Sequence, residues 1–391
     1  MTCAGTAPGA ARVSDPRRDP HNAGMPHWID TPDALHASLA RLPAVIGLDT
    51  EFIRERTYWP QLALVQVALG PADDDILLVD PLVDGMREPL AALLAAPTVL
   101  KVMHSPSEDL VAFRHFCGVL PQPLFDTQLA AALCGLGAGL GYQKLVLAET
   151  GIALDKGETR SDWLRRPLSP SQLTYAADDV RHLHALHASL QAQLAANGRG
   201  AWEAEDGARL LTSAASDDGE RWPHLSMRSA QFLDAAGQVR LLRLLRWRDA
   251  QARRSDKPRS WILDNELAVA LARTNPAERR AFDAQLDATP KAPRGLRDAL
   301  WQALSTPLDD EMDAPPARGD DRDKRQLRAM QDAVAAIAGE LGVPEGLLAS
   351  RRLLEGLQDG GGWTGPLAGW RRDQLQVRLQ PLLGESAPPK R

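Results

Sequence analysis

With 391 residues, 44% hydrophobic composition and a formal net charge of −6, the chain has room for two or three packed domains. It lacks the overall basic charge of a protein that simply coats nucleic acid, although charge segregated by domain escapes such a count. Its three cysteines, Cys3, Cys117 and Cys134, have neither C-x-x-C spacing nor an even framework, which excludes a disulfide scaffold or structural zinc and predicts a reducing, cytoplasmic setting.

Residues 1–24 contain no apolar h-region and read as a disordered tail, with Met25 as an alternative start. No apolar run approaches the length of a membrane span. Thr31-Pro32 reads as an N-cap followed by proline at the first helical position, with Leu35, Leu39 and Leu42 as the apolar stripe. A strand then runs through Val45-Ile-Gly-Leu-Asp49-Thr-Glu51. Two further strands, Gln61–Leu69 and Ile76–Val79, follow by short connections, which predicts an antiparallel meander. A helix over Pro89–Ala95 and a fourth strand over Val99–Met103 complete a mixed α/β layer.

Side chains alternate along a strand, so Asp49 and Glu51 share a face. Two carboxylates side by side repel unless one is protonated or a cation bridges them, and a hard divalent ion takes oxygen ligands. Ser105, Pro106 and Glu108 fit a capping box that would open a helix and place Asp109 in its first turn. There Asp109 either approaches Asp49 and Glu51 or complements the helix dipole. Asp126 fits an N-cap. Ser169, Pro170 and Gln172 form a second capping box, opening a helix expected to reach about Leu190. On it Tyr175 and Asp179 stand four apart on one face.

Gly135–Gly141 lacks the G-x-G-x-x-G order of a dinucleotide site, and no G-x-x-x-x-G-K-[ST] occurs, so no nucleotide cofactor is expected. Ala201–Asp218 is polar and rich in small residues. Beyond it, Leu241, Leu242, Leu244 and Leu245 mark a helix whose other faces carry Arg240, Arg243, Arg246, Arg248, Arg253, Arg254, Lys257 and Arg259. Asp264 fits an N-cap for the next helix. Thr306–Asp323 reads as an acidic linker, Lys324–Leu341 as an amphipathic helix stopped by Gly342 and Pro344, and Leu367–Leu383 as the last element.

Four stretches, LDTEFIRERTYWPQLALVQVA from Leu48, VMHSPSEDL from Val102, LPQPLFDTQLAAALCG from Leu120 and LDKGETRSDWLRRPLSPSQLTYAADDV from Leu154, together resemble the DEDD superfamily of 3′→5′ exonucleases. The tyrosine-bearing branch and, within it, the bacterial ribonuclease D family are the nearest likeness. The resemblance implies an RNase H-like α/β fold and places the family motifs on Asp49 and Glu51, on Asp109, and on Tyr175 with Asp179. Asp178 is the rival for the last place. It further implies two Mg²⁺ or Mn²⁺ ions, with Asp49, Glu51, Asp109 and Asp179 as ligands and Tyr175 orienting the attacking water. The implied activity is a metal-dependent 3′→5′ exoribonuclease releasing nucleoside 5′-monophosphates, with tRNA precursors and other structured RNAs as substrates. A DNA exonuclease and a non-catalytic RNA-binding protein are the alternatives. His104, Lys156, Arg160, Arg165 and Arg166 are candidate substrate contacts.

LLRWRDAQARRSDKPRSWILDNELAVALA resembles the HRDC module, an all-helical domain that implies auxiliary nucleic-acid contact; a protein-contact module is the other reading. The expected organisation is a tail (1–24), an exonuclease domain (25–207), an HRDC domain (213–304), a linker (305–323) and a second HRDC-like helical domain (324–391).

Overall fold

The computed structural model describes residues 25–383 apart from 156, 159–160, 217–218, 275–277, 291 and 318–322. The readings of residues 1–24, Lys156, Arg160 and 384–391 lie outside the described residues.

Six strands, β1 (His27–Ile29), β2 (Val45–Ile53), β3 (Gln61–Ala68), β4 (Ile76–Val79), β5 (Leu100–Met103) and β6 (Leu124–Asp126), form one mixed sheet in the order β1-β4-β3-β2-β5-β6. β2, β3 and β4 make the expected antiparallel meander. β1 adds parallel to β4, and β5 and β6 run parallel beyond β2. β6 ends at the strand-to-helix junction expected at Asp126, whereas β1 was not anticipated, because three residues are too few to display a period of two.

The sheet helices are α1 (Pro32–Leu39), α2 (Arg87–Ala95), α3 (Ser107–Cys117), α4 (Thr127–Leu133), α5 (Tyr142–Thr150), α6 (Pro170–Arg181), α7 (Leu183–Ala196) and α8 (Gly200–Ala215). Ile46, Leu48, Val65 and Val67 turn toward a core with α1, α2 and α3. Leu64, Ala68 and Val102 turn the other way, against Leu145 of α5, Ala176, Ala177 and Val180 of α6, and Leu183 and Leu186 of α7. This alternation puts Gly47, Asp49 and Glu51 on the face that α6 and α7 cover.

Three expectations are corrected. The helix expected to reach Leu190 is interrupted at His182, which separates α6 from α7. The small-residue stretch after Ala201 is the helix α8, packed across α3 and β6. Its small residues permit the approach, since a Cβ at Gly207 would stand 3.4 Å from the Leu124 carbonyl. Finally, Ser105 does not cap α3. It adopts the left-handed region (φ 56), Pro106 takes the cap position, and Glu108 pairs with Arg54 at 2.7 Å.

After α8 the described chain contains helices only: α9 (Ala235–Ser255), α10 (Arg259–Ile262), α11 (Asn265–Ala272), α12 (Arg279–Ala288), α13 (Arg297–Ser305), α14 (Lys324–Leu341), α15 (Glu345–Leu348), α16 (Arg351–Gln358) and α17 (Trp370–Leu383), with short 3₁₀ turns. α9, α11, α12 and α13 enclose their own core around Leu241, Leu244, Phe282 and Leu300. The core of α14 to α17, with Met330, Val334 and Trp370, is continuous with the α4–α7 side of the sheet. Trp370 stacks on Trp202 of α8 at 4.4 Å, and Arg371 bridges to the buried Asp206 at 2.6 Å.

The acidic segment read as a linker is strapped to α9. Arg243 bonds Glu311 at 2.6 Å and Arg246 bonds Asp310 at 2.6 Å, while the Gln238 amide bonds the Ala317 carbonyl at 3.0 Å. The arginine-rich surface of α9 is therefore largely engaged inside the protein. Arg240 donates to the Ala272 carbonyl at 2.6 Å, and Arg248 to Asn265 at 2.6 Å.

Candidate active site

β2 delivers Asp49 and Glu51 to the end of the sheet. Opposite them on β3 stand Gln66 and Leu64, and the register shifts between Glu51 and Phe52. Such an irregularity bends a strand locally and re-aims its side chains.

α3 follows β5 by a tight turn and brings Asp109 to the same end. Asp126, at the end of β6, shapes that turn: its carboxylate accepts from Ser105 N at 3.0 Å and from Gln128 N at 2.9 Å, capping α4. Thr50, between the two strand acids, donates its hydroxyl to Asp109. α6 begins at the expected Ser169–Gln172 capping box and carries Tyr175 and Asp179 over β2. Asp178 points elsewhere, forming a salt bridge with Arg181 at 3.1 Å.

The electrostatics bind these residues into one group. Burial raises Asp49 well above the usual carboxylate range, and the charges of Asp109, Asp179 and Glu51 raise it further. Burial, then Asp179 and Asp109, push Glu51 up to about 9. Burial moves Asp109 to about 6 against the opposing hydrogen bond from Thr50. Asp179 reaches about 7 through burial and the neighbouring Asp178, opposed by the hydrogen bond from Tyr175. The Tyr175 phenol is raised by burial and then by Asp179, Glu51 and Asp49, so it keeps its proton at neutral pH.

Four carboxyls at one sheet end, all raised by burial, with Asp49 and Glu51 raised further by the other acids, form a site suited to cations. Among the described residues no three of them close around a common point as ligands; Asp109 is turned to Thr50, and the Tyr175 phenol lowers the Asp179 carboxyl against its other neighbours. The donor set nevertheless fits divalent ions, being hard oxygen throughout. Gln66 adds a second sign: fully buried beside Asp49 in the strand pairing, it has neither amide atom hydrogen-bonded. An orphaned buried amide costs free energy unless something else in the working site satisfies it.

The other sequence candidates fare differently. His104 donates or accepts at Thr127 Oγ1 (2.9 Å) and packs edge-on against Tyr142, and burial lowers its pKa to about 4. Lys156 and Arg160 are outside the described residues. Arg165 is exposed. Arg166 is committed to the fold, not available to substrate: it clamps Asp80 through two bonds of 2.7 Å and donates to the Ala63 carbonyl at 2.6 Å.

Sequence reasoning missed a basic cleft of about 590 Å³ along α3 at Glu108, lined by Arg54, Arg114, Arg253, Arg259, Trp59 and His115, among others. It lies where α9 meets the loop after β2. Tyr58 knits that junction, its hydroxyl bonding Asp249 at 3.0 Å, Arg253 at 3.0 Å and Arg259 at 2.9 Å. Asp256, at the left-handed C-cap of α9, accepts from the backbone of Tyr58 and Trp59 at 3.0 Å each. Arg54, three residues beyond Glu51 and followed four and five residues on by Tyr58 and Trp59, is a signal in the text that could have found this cleft.

Residues 26–195 match the family described as 3′-5′ exonuclease. A ribonuclease D of Xanthomonas oryzae pv. oryzae is 60% identical over 364 residues, 93% of this chain and 99% of the relative. One of Pseudomonas paraeruginosa is 36% identical over 87% of this chain and 92% of its own length. The crystal structure of Escherichia coli RNase D, an exoribonuclease involved in structured RNA processing, superposes with a TM-score of 0.77 at 29% identity, covering 93% of this chain and 100% of that one.

Proposed function

The chain belongs to the ribonuclease D family and is a 3′→5′ exoribonuclease, and from that premise we propose that Asp49, Glu51, Asp109 and Asp179 hold two divalent ions, Mg²⁺ or Mn²⁺, with Tyr175 beside them. The observation that carries this reading is the convergence of β2, α3 and α6, which brings four carboxyls of hard oxygen to one sheet end, where burial opposes their ionisation. Divalent ions held by these carboxylates would supply water activation and charge stabilisation at the leaving 3′-oxygen.

The chain's own groups do the rest. Asp49 lies within electrostatic reach of the other three acids and would hold ion charge together with each of them. Tyr175, protonated at neutral pH, is a hydrogen-bond donor and not a base; its phenol fixes the Asp179 carboxylate and orients the attacking water. Thr50 restrains Asp109 from the opposite side. Upstream nucleotides pass the Arg54–Arg259 cleft, where the net positive field of guanidinium groups already tied to Glu108, Asp249 and Tyr58 attracts phosphates. His104 is a structural support. The exonuclease unit is residues 25–207 carried on to Ala215, the end of α8, and the helices after it are two HRDC-like units.

The substrates are tRNA precursors and other structured RNAs with 3′ extensions, trimmed to nucleoside 5′-monophosphates. Among the described residues no helix is long and apolar enough to cross a membrane, and we place the activity in the cytoplasm. A 3′-extended tRNA, a matched single-stranded RNA and its DNA counterpart, digested with Mg²⁺ or with EDTA, test the reading. Mononucleotide release from the tRNA extension, faster on RNA than DNA and abolished by EDTA, is expected; metal-independent or DNA-preferring digestion would overturn it.

A further inference from the structure

α6 and α7 read as one helix in sequence, and a single side chain stands at their break. In an unbroken helix the His182 N–H would donate to the Asp178 carbonyl four residues back. The Tyr142 hydroxyl occupies that place, donating to Asp178 O at 3.0 Å and accepting from His182 N at 3.3 Å. α6 stops at Arg181, His182 takes φ −100 and ψ 0, and α7 resumes at Leu183. A side chain inserted into the helical ladder is one of the few physical causes of a sharp bend.

Both sides of the bend bear on the site. Asp179 directly follows the carbonyl that Tyr142 holds. Leu183 directly follows the N–H and seats on Gly47, where an added Cβ would stand 3.1 Å from Leu183 Cβ and Cδ1. Gly47 lies two residues before Asp49 on β2. Tyr142 is itself steadied: it is the first residue of α5, rooted by the buried Leu145 and Val146, and the His104 ring packs edge-on against it at 5.6 Å.

We infer that Tyr142 is a positioning residue, whose hydroxyl, inserted between Asp178 and His182, sets the bend that aims Asp179 at Asp49 and Glu51 while Leu183 docks on Gly47. This rests on the reading of Asp179 as an ion ligand. Tyr142 acts through the helix and touches neither the reacting atoms nor the substrate. Its phenol is polar on both faces of the inserted group, so phenylalanine keeps the ring and loses both bonds.

The test is Tyr142→Phe in the full chain. Loss of a group that orients a ligand typically costs about 10–100-fold in ion affinity or activity, so kcat on a short RNA falls by about that factor while KM stays within about twofold. Mn²⁺ affinity of the RNA-free protein, read by electron paramagnetic resonance, weakens in parallel, and the His182 amide loses its protection from hydrogen exchange. Wild-type kcat and Mn²⁺ affinity in Tyr142→Phe would overturn the proposal. Asp179→Asn separates the two readings: if it abolishes activity while Tyr142→Phe changes nothing, only the positioning role falls; if it leaves activity and Mn²⁺ affinity intact, the ligand reading falls with it. Should Tyr142→Phe not fold, exchange in the wild-type protein decides. Slow exchange at His182, as in a helix interior, supports the inserted hydroxyl, and fast exchange as at a frayed end overturns it.

Discussion

The acids at the end of the sheet and the acids around α9 meet opposite company. Asp49, Glu51, Asp109 and Asp179 face one another and are all raised in pKa, with burial the leading cause. Asp310, by contrast, is held down at about 2 by the Arg246 hydrogen bond, and Glu311 is lowered by the one from Arg243. Both regions are rich in charge, yet only the helical one neutralises its charge from within. The helical region uses ion pairs as architecture, tying an acidic segment to a helix. The sheet end concentrates like charge that the fold leaves for a ligand, and it is correspondingly the less stable arrangement in the absence of cations.

That contrast breaks most visibly at Asp49. Asp49→Asn removes the acid with reach to all the others, and kcat is expected to fall by at least about a thousandfold, the scale of several kcal/mol that ion-assisted hydrolysis supplies. In EDTA the same variant is expected to melt at or above the wild-type temperature, since an acid whose ionisation burial and its neighbours oppose has gone. Activity within tenfold of wild type, or a clear drop in the ion-free melting temperature, would count against the site.

Gln66 sharpens the comparison from the uncharged side. Its two unpartnered amide atoms, fully buried, stand at a position where an apolar side chain would be the stabler choice. Removing an unsatisfied polar group from an interior is worth about 1–3 kcal/mol, so Gln66→Leu should raise the ion-free stability in denaturant titration while lowering kcat. A variant that loses stability and keeps kcat would show the amide to be ordinary packing.

The pH dependence of stability separates the two regions without changing the substrate. Glu51 is raised from 4.5 to about 9, so the folded protein holds a proton there that the unfolded chain has already released. Its stabilising contribution is complete below pH 4.5 and is lost as pH rises through about 9. The lowered histidines, such as His104 at about 4, act in the opposite sense below neutrality, and Lys101, lowered to about 8 by burial, acts oppositely above that. The informative window therefore lies between roughly pH 7 and 8, where one proton of difference changes stability by about 1.4 kcal/mol per pH unit. Unfolding free energy in EDTA is expected to fall across this window in the wild type, to fall less steeply in Glu51→Gln, where the raised Asp49 remains, and to flatten on adding Mg²⁺. A wild-type curve that rises or stays level would contradict the assigned burial.

Much of this arrangement is legible in the text because it obeys local rules. Asp49 and Glu51 share a face by strand alternation, Tyr175 and Asp179 by helical spacing, and the Ser169–Gln172 box marks where their helix starts. Thr50, Gln66 and Tyr142 escape because their roles exist only across elements: a bond to a distant helix, a pairing with a neighbouring strand, and a hydroxyl placed 36 residues ahead of the carbonyl it meets. The break at His182 is invisible for the same reason, since no proline or glycine stands there and the cause is the side chain of another helix. Arg166 and the α9 arginines fail in the opposite direction. Their composition suggests phosphate, but Asp80, Asp310 and Glu311 lie too far away in sequence for the pairing to be foreseen.

The smallest effect is expected where charge is both paired and wet. Arg328 and Asp332 sit one turn apart on α14 at 3.3 Å, with side chains 77% and 67% exposed. Water screens such a pair, and ordering two mobile side chains offsets most of the attraction. A double-mutant cycle with Arg328→Ala and Asp332→Ala should return a coupling below about 0.5 kcal/mol that fades with salt. It should also leave kcat and its ion dependence untouched. A coupling of several kcal/mol there would mean that proximity of charge, not burial, governs this protein's electrostatics, and the contrast between its two regions would lose its physical basis.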